Sequence, residues 1–359
     1  MKTGNRLPII ILLLVLIGLQ LLTQVTETTF YLTQMTMTAY YSLVIIGLCL
    51  VMGYAGQISL GHAGFFAIGG YTSAVLTTYN LAPYLQNGNR FLALLAERGL
   101  LVQTKSLYGE SLLYVHPWPA CLIAILLTVV IAFLIGIPVL KLKGHYLAMA
   151  TLGFGIIIYR IVLATEIFGE ADGLSSVPGF PLLPGLTING DFNNRVENYY
   201  IACGVLLLGF ILLQNLINSR VGRALRAIHG SEEAANAMGV NTSRYKLFTF
   251  VLSAVFAALA GILLTHYNGG IGPSEAGIMK SVRYVAIVAI GGMANLWGAL
   301  IMAALLNFLS LRGMFGSYDD AFFGAILIII MLFAPEGVLR LHLWQRFRKK
   351  SDQTAETKN

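Results

Sequence analysis

Long apolar runs, separated by short polar segments, make up most of this chain. About 20 residues of helix, rising 1.5 Å each, cross a hydrocarbon core of about 30 Å. The pattern therefore predicts an all-α, polytopic membrane helix bundle. The predicted spans are 7–22, 38–53, 58–79, 118–140, 145–164, 198–217, 247–267, 284–309 and 319–334. The first run follows Lys2 and Arg6 without an A-x-A-like cleavage site, so we expect a retained helix and not a signal peptide.

The charges between the runs predict an orientation. Segment 165–197 is acidic, whereas segment 218–246 and the turn at 141–143 are basic. Cytoplasmic loops carry an excess of Lys and Arg. We therefore expect the N-terminus, these basic segments and a basic, polar tail at 346–359 to be cytoplasmic, with residues 1–345 forming a single transmembrane domain.

The number of crossings conflicts with that orientation unless one run is broken. Nine single crossings from a cytoplasmic N-terminus would leave the basic tail outside. A hairpin of two shorter helices within 284–309, interrupted at 291–295, resolves the conflict and gives about 9–10 helical segments with a re-entrant pair. Segment 80–117 is then external. Within it, residues 91–102 could form an amphipathic helix, either simply packed or serving as a docking surface.

Composition narrows the class of protein. Of the 359 residues, 57% are hydrophobic and 11% are charged, against about 25% charged in soluble domains. The net charge of +7 comes from basic residues beside apolar runs, so membrane lipid and not nucleic acid is the expected partner. The three cysteines and six histidines are scattered. We therefore expect no metal site and no cofactor.

Two glycine-rich interruptions are candidates for the solute pathway. The first contains Gly56, Gln57, Ser59, Gly61, His62 and Gly64, and the second contains Gly291, Gly292 and Asn295. A helix break at membrane depth is tolerated where its backbone is buried in protein or lines a cavity, and paired breaks mark binding regions in transporters. The alternative for the first break is a short cytoplasmic turn whose glycines allow close packing.

Acidic residues are missing from the middle of the predicted spans, and Arg160 and Glu166 fall near a helix end. Proton-coupled transporters place ionisable residues inside the membrane. Their absence argues against proton coupling, so the energy for uphill transport would have to come from elsewhere.

A short helix is predicted in the basic segment 220–247. Ser231 can cap it, Glu232 and Glu233 suit its N-terminal dipole, and Gly239 can end it. Its small residues, Ala234, Ala235 and Ala237, would let another surface approach closely. The alternative is a basic loop held on anionic lipid.

Residues 233–239 resemble the E-A-A-x-x-x-G signature of ABC importer permeases. Other segments, taken in chain order, resemble the branched-chain amino-acid permease family: 56–71, 146–152, 172–174, 291–298 and 333–337. Family members often carry a glutamate after the T-L-x-F-G stretch, where this chain has Ile156. No role of that carboxylate can be transferred to this chain.

The resemblance implies a transport subunit that is not an enzyme. Glu233, Ala234, Ala235 and Gly239 would dock into an ATPase subunit. This chain would lie in the inner membrane, and its partners would be two ATPase subunits, a paralogous permease and a periplasmic solute-binding protein. The expected function is ATP-driven, alternating-access import of branched-chain or related amino acids.

Other functions remain open from the residues. Urea and short-chain amide permeases share much of the pattern. An ion-gradient-driven carrier or a channel would need no ATPase. A membrane enzyme would need convergent acid, base or metal groups, for which the chain offers only His62 and His145 near span ends.

Overall fold

The computed structural model describes residues 7–83, 99–105, 111–183 and 185–333. Most of these residues are helical, as the apolar runs predict. The helices are α1 Leu7–Val25, α2 Phe30–Cys49 with a π-helical extension Leu50–Tyr54, α3 His62–Thr78, α4 Pro117–Val139, α5 His145–Ala164, α6 Arg195–Asn218, α7 Arg220–Gly230, α8 Glu232–Ala237, α9 Thr242–Asn268, α10 Ile278–Gly291, α11 Leu296–Leu311 and α12 Asp319–Phe333.

Six of these helices are long and apolar enough to cross a membrane by length and composition: α1, α2 with its extension, α4, α5, α6 and α9. Helix α11 is a shorter apolar helix. The predicted start of α2 at 38 was wrong by eight residues. Polar side chains such as Gln34 and Thr36 lower the local hydropathy there, although the helix continues through them.

Short antiparallel ladders join the segments between helices. They pair β1 Leu101–Lys105 with β2 Ser111–Val115, β3 Leu174–Ser175 with β6 Gly270–Ile271, and β4 Phe180–Leu183 with β5 Leu186–Ile188. The helix predicted at 91–102 is wrong at its end, because residues 101–102 belong to β1. Residues 91–98 lie outside the described residues, as does the predicted tail at 346–359.

Helices α2, α3 and α9 form the centre of the bundle. In the membrane-spanning window of α2, 89% of the residues are buried, against 11% in α1, which lies at the periphery. Small residues let α3 and α9 approach closely. A Cβ on Gly69 of α3 would lie 2.5 Å from the Ala258 carbonyl oxygen of α9. Close backbone contact through small residues is typical of membrane helix packing.

The predicted hairpin within 284–309 is confirmed. Helices α10 and α11 are antiparallel, since Gly291 packs against Ala299 beside the break while Arg283 bonds Ser310 at the other end. The break lies at 292–295, within the predicted interruption. Helix α10 nevertheless begins at Ile278, six residues before the predicted start of the run.

The loops segregate to two ends of the bundle. At one end, which we call the basic end, the 140–144 turn meets α8 through Lys143 and Glu233. At the other, the acidic end, β3 pairs with β6 and the Trp118 indole donates to the Pro181 carbonyl. Segments 165–194 and 219–241 thus lie at opposite ends, as the alternation of spans requires.

Candidate translocation and coupling sites

The first interruption is a loop, residues 55–61, that leaves α2 through its π-helical turn. The amide of Ala55 donates to the Leu50 carbonyl at 3.3 Å, and Gln57 donates to Val51 at 3.0 Å. Gly56 has φ of +67°, a conformation that glycine adopts without steric cost. Single π turns occur frequently at functional sites.

The loop is partly buried in the bundle. Ser59, Gly61 and Gly64 are buried, while Gly56 and Ile58 are exposed. The freed backbone is satisfied by a neighbouring helix.

The neighbouring helix is α5. The Leu60 amide donates to Thr151 Oγ1 at 3.0 Å. Gly61 lies against the same residue, where an added Cβ would come within 2.7 Å of the Thr151 carbonyl oxygen. These contacts meet the condition for a break at membrane depth.

His62 links this loop to α9. Its ring is fully buried, with Nδ1 3.1 Å from Ser59 Oγ and Nε2 2.5 Å from Ser253 Oγ. Both ring nitrogens therefore have protein partners. Among the described residues no group of three or more His, Cys, Asp or Glu side chains could hold a metal ion. His62 is thus a hydrogen-bonding connector between the break and α9.

Gln57 is the one loop side chain that the described residues leave unsatisfied. It is 1% exposed, and neither its amide oxygen nor its amide nitrogen has a hydrogen-bond partner there. Buried polar groups are normally paired. Gln57 borders a cavity of about 310 Å³ whose opposite wall includes Ser231, Glu232 and Glu233.

The second interruption has separate roles for its candidate residues. Gly292 has φ of +98° and turns the chain. The Asn295 side chain accepts a hydrogen bond from the Gly298 amide at 3.2 Å and so caps α11. Gly291 and Gly298 are in backbone contact, which closes the hairpin tightly.

The structure brings the two interruptions together. An added Cβ on Gly53, in the π-helical turn, would lie 2.8 Å from the Ala294 Cα of the second break. Near the other end of α10, the Ala63 amide donates to Ser281 Oγ at 3.1 Å. The first break and the α3 start therefore pack along α10.

Helix α8 has the ends that the sequence predicts. The Ser231 hydroxyl accepts from the Ala234 amide at 3.3 Å, and Gly239 has φ of +82°. Glu232 makes an ion pair of 2.7 Å with Lys246, which anchors α8 to α9. Glu233 instead projects outward, with 87% of its side chain exposed.

The small-residue face of α8 is divided between the bundle and its surface. Ala234 and Ala237 are exposed, whereas Ala235 is 4% exposed and packs into the chain's own core. The adjacent Met238 is 85% exposed. The exposed surface of this segment therefore includes Glu233, Ala234, Ala237 and Met238.

Helix α7, which leads directly into α8, is in near contact with the first interruption. The position of a Gly56 Cβ would be 2.9 Å from His229 Nδ1, at the end of α7. The cavity beside Gln57 separates the same loop from α8. A displacement of α7 and α8 would therefore reach the loop directly.

A charged cluster inside the bundle was missed by the sequence reasoning. Lys280 Nζ lies 2.9 Å from Glu275 Oε1, and the Tyr41 hydroxyl donates to the same oxygen at 3.0 Å. Tyr41 lies part-way along α2, about 16 Å from its start at 1.5 Å per residue. The expectation concerned the predicted spans only, and Glu275 lies between two of them, in the turn Pro273–Ala276.

The hydrophobic pattern explains why this charged cluster was missed. Lys280 and Arg283 precede the apolar run that begins at Tyr284. The span predicted from hydrophobicity, 284–309, therefore excluded the first two turns of α10. Arg283 also forms ion pairs with Asp319 and Asp320 of α12, at 2.7 and 3.1 Å. The one available signal was the cluster of charges just before an apolar run, which also suits an ordinary surface loop.

Several long apolar helices, two facing interruptions and a short exposed helix beside one of them define a multi-pass membrane transport protein. Comparison with known proteins narrows the class. The profile of the branched-chain amino acid transport system permease component matches residues 30–331. The chain belongs to this permease family.

Individual relatives agree with that assignment. The high-affinity branched-chain amino acid transport system permease protein LivM of Salmonella typhimurium is 31% identical over 326 residues, covering 85% of this chain and 68% of LivM. LivH of Escherichia coli K12 is 28% identical over 314 residues, covering 85% and 92%. BraD of Pseudomonas aeruginosa is 26% identical over 314 residues, covering 85% and 93%. No solved structure matches this chain.

Proposed function

We propose that this chain is the membrane-spanning subunit of an ATP-driven importer for branched-chain amino acids. It works with two ATPase subunits, a paralogous permease and a periplasmic solute-binding protein in the inner membrane. The family and the names of its relatives support both a role in transport and branched-chain amino acids as the solute.

The observation that carries the proposal is the position of α8 beside the first interruption. Glu233 projects from a capped helix of six residues, Glu232–Ala237, at the basic end of the bundle. The cavity of about 310 Å³ separates this helix from Ala55, Gly56 and Gln57. A partner that moves α8 would also move α7, whose His229 lies against Gly56 of the loop, and this is the connection that an ATP-driven pathway needs.

The pathway itself follows the two interruptions. Gln57, Ser59 and His62 belong to the loop, and Gly291, Gly292 and Asn295 belong to the second break. Their backbones meet where Gly53 packs against Ala294. Closing and opening this contact would expose the pathway first to one end and then to the other, as alternating access requires.

The basic end faces the cytoplasm in this proposal. Lys143, Arg220, Arg223 and Arg226 lie there, whereas Glu166, Glu170 and Asp172 lie at the acidic end. The excess of Lys and Arg on cytoplasmic loops supports this orientation. Both termini are then cytoplasmic, and the acidic end receives solute from the binding protein.

The experiment is reconstitution of the chain with its partner permease, ATPases and binding protein in liposomes. We expect leucine, isoleucine or valine to stimulate ATP hydrolysis and uptake. The Glu233→Ala variant should lose both, and Glu166→Gln should keep both as a control at the acidic end. Uptake of solute without an ATPase, driven by an ion gradient, would contradict the proposal.

A further inference from the structure

The cluster around Glu275 is a connected charge pair inside the bundle. Glu275 Oε1 accepts from both Lys280 Nζ and the Tyr41 hydroxyl, at 2.9 and 3.0 Å. Lys280 also donates to the Tyr41 hydroxyl at 3.1 Å and lies 4.6 Å from the centre of its ring. The two donors, Lys280 and Tyr41, hold one carboxylate oxygen of Glu275, and the other has no partner among the described residues.

The free groups of the cluster point to a missing ligand. Glu275 Oε2 is shielded from solvent and has no hydrogen-bond partner among the described residues, and the same holds for the Tyr71 and Tyr284 hydroxyls. Tyr284 lies beside Tyr41, with ring centroids 6.4 Å apart, and Tyr71 lies on α3, which packs against the turn Pro273–Ala276 that carries Glu275. Since a carboxylate offers about four acceptor positions and buried polar groups are normally paired, these atoms are available to bind a ligand.

The cluster is partly exposed at its edge. The side chains of Lys280 and Glu275 are 24% and 19% exposed. On the same turn, Ile278 and Met279 are 38% and 59% exposed and offer an apolar surface. Gly277 cannot cap α10 with a side chain. The Lys280 amide donates to the Gly277 carbonyl, so the amides of Ile278 and Met279 are the ones left to meet an anionic group at the start of this 14-residue helix.

The balance of charge selects the chemical class of ligand. Glu275 and Lys280 compensate each other, so a lone cation or anion would add a net charge to a poorly solvated site, which is costly. A zwitterion is neutral and presents both charges. Its ammonium group matches Glu275 Oε2, and its carboxylate matches Lys280 and the first amides of α10.

We propose that Glu275, Lys280 and the first turn of α10 bind the ammonium and carboxylate groups of an amino acid inside the bundle. Ile278 and Met279 then lie beside its apolar side chain. The proposal rests on the import function proposed above and adds a site that holds the common head group and not a particular side chain. It excludes urea, which carries no charge pair.

The decisive test is protection of a cysteine beside the site. Met279→Cys places a thiol on the exposed turn, while the native Cys49, Cys121 and Cys203 are buried. The importer complex without binding protein is labelled with a maleimide in the presence of leucine, 4-methylpentanoate, isopentylamine or urea. We expect leucine to slow labelling at least threefold and the other three compounds to leave the rate unchanged.

Two results would overturn the proposal: no protection by leucine, or equal protection by the amine or the acid. Because this panel keeps Glu275 and Lys280 intact, it decides the matter even if a variant of the pair does not fold. The labelling panel also tests the site independently of the import function. Failure of ATP-driven uptake by the wild-type complex would contradict the proposed function. Labelling that leucine slows no more than the amine or the acid would contradict only the proposed site.

A second test uses the charge of Glu275. In the Met279→Cys background, Glu275→Gln keeps an oxygen acceptor for Lys280 and Tyr41 but removes the negative charge. We expect it to abolish protection by leucine, whereas Glu166→Gln, a matched change at an exposed acidic-end position, should retain it. Protection that survives Glu275→Gln would show that the ion pair only supports the fold, and would overturn the proposal.

Discussion

The contact between the two interruptions can be tested by adding one methyl group. Gly53→Ala would place a Cβ 2.8 Å from the Ala294 Cα and closer still to its amide nitrogen. Ordinary contact begins at 3.4 Å, so the second break would have to retreat by more than half an ångström. The obstacle is backbone, and a rotamer change cannot relieve it.

The expected magnitude follows from a matched control. Overpacking of this kind costs about 1–3 kcal/mol. Gly204→Ala in α6 adds the same methyl group where nothing lies within 4 Å. Both changes replace glycine in a helical backbone, so the difference between the variants isolates the overpacking cost. A difference of about 1–3 kcal/mol corresponds to about 5- to 150-fold in the population of the state with the breaks in contact.

Two measurements check this prediction. Thermal unfolding of the purified chain in detergent should give Gly53→Ala a midpoint several degrees below that of Gly204→Ala. Uptake by the reconstituted importer should fall for Gly53→Ala and stay near the wild-type rate for Gly204→Ala. Equal midpoints and equal uptake for the two variants would refute the inference that the breaks press against each other.

Three further changes test the coupling helix and the breaks. Gly239→Pro should abolish solute-stimulated ATP hydrolysis without loss of expression, because proline cannot adopt the φ of +82° that ends α8. Thr151→Val should lower the free energy of unfolding by about 1–3 kcal/mol, since the buried Leu60 amide loses its acceptor. Asn295→Ala should lower it by about 0.5–2 kcal/mol through loss of the α11 cap.

Each of these changes has a conservative counterpart. Gly239→Asn should retain activity, since asparagine tolerates a left-handed backbone. Thr128→Val, whose hydroxyl bonds only within α4, should cost less than Thr151→Val. Asn295→Ser should keep most of the cap. Transport that persists in Gly239→Pro, or equal losses for a variant and its counterpart, would argue against the assigned role.

Local chemistry made α8 and the α10–α11 break predictable. Ser231 and Gly239 act on backbone groups within a few residues of themselves, so a cap and a stop can be recognised without knowledge of the fold. Gly291 and Gly292 interrupt an apolar run in the same local way. The charges of the connecting segments then required a hairpin at this point, and the structure has one.

The start of α3 shows where that local logic fails. The apolar run suggested 58, whereas the helix begins at His62. Ile58 and Leu60 extend the hydrophobic pattern, but the Leu60 amide bonds Thr151, 91 residues further along. Residues 58–61 therefore belong to the loop, held by a hydrogen bond to a distant helix, and no short stretch of the sequence contains both partners of that bond.

The sequence by itself determined that this protein is a bundle of membrane-spanning helices, where the bundle is interrupted and which segment carries the coupling signature. Those properties depend on hydrophobicity, loop charge and capping between near neighbours. Only the tertiary structure decided that Gly53 meets Ala294, that Gln57 borders the cavity beside α8, and that Lys280 and Glu275 join Tyr41 inside the bundle. These contacts join residues more than 80 positions apart, and they arise from the packing of whole helices.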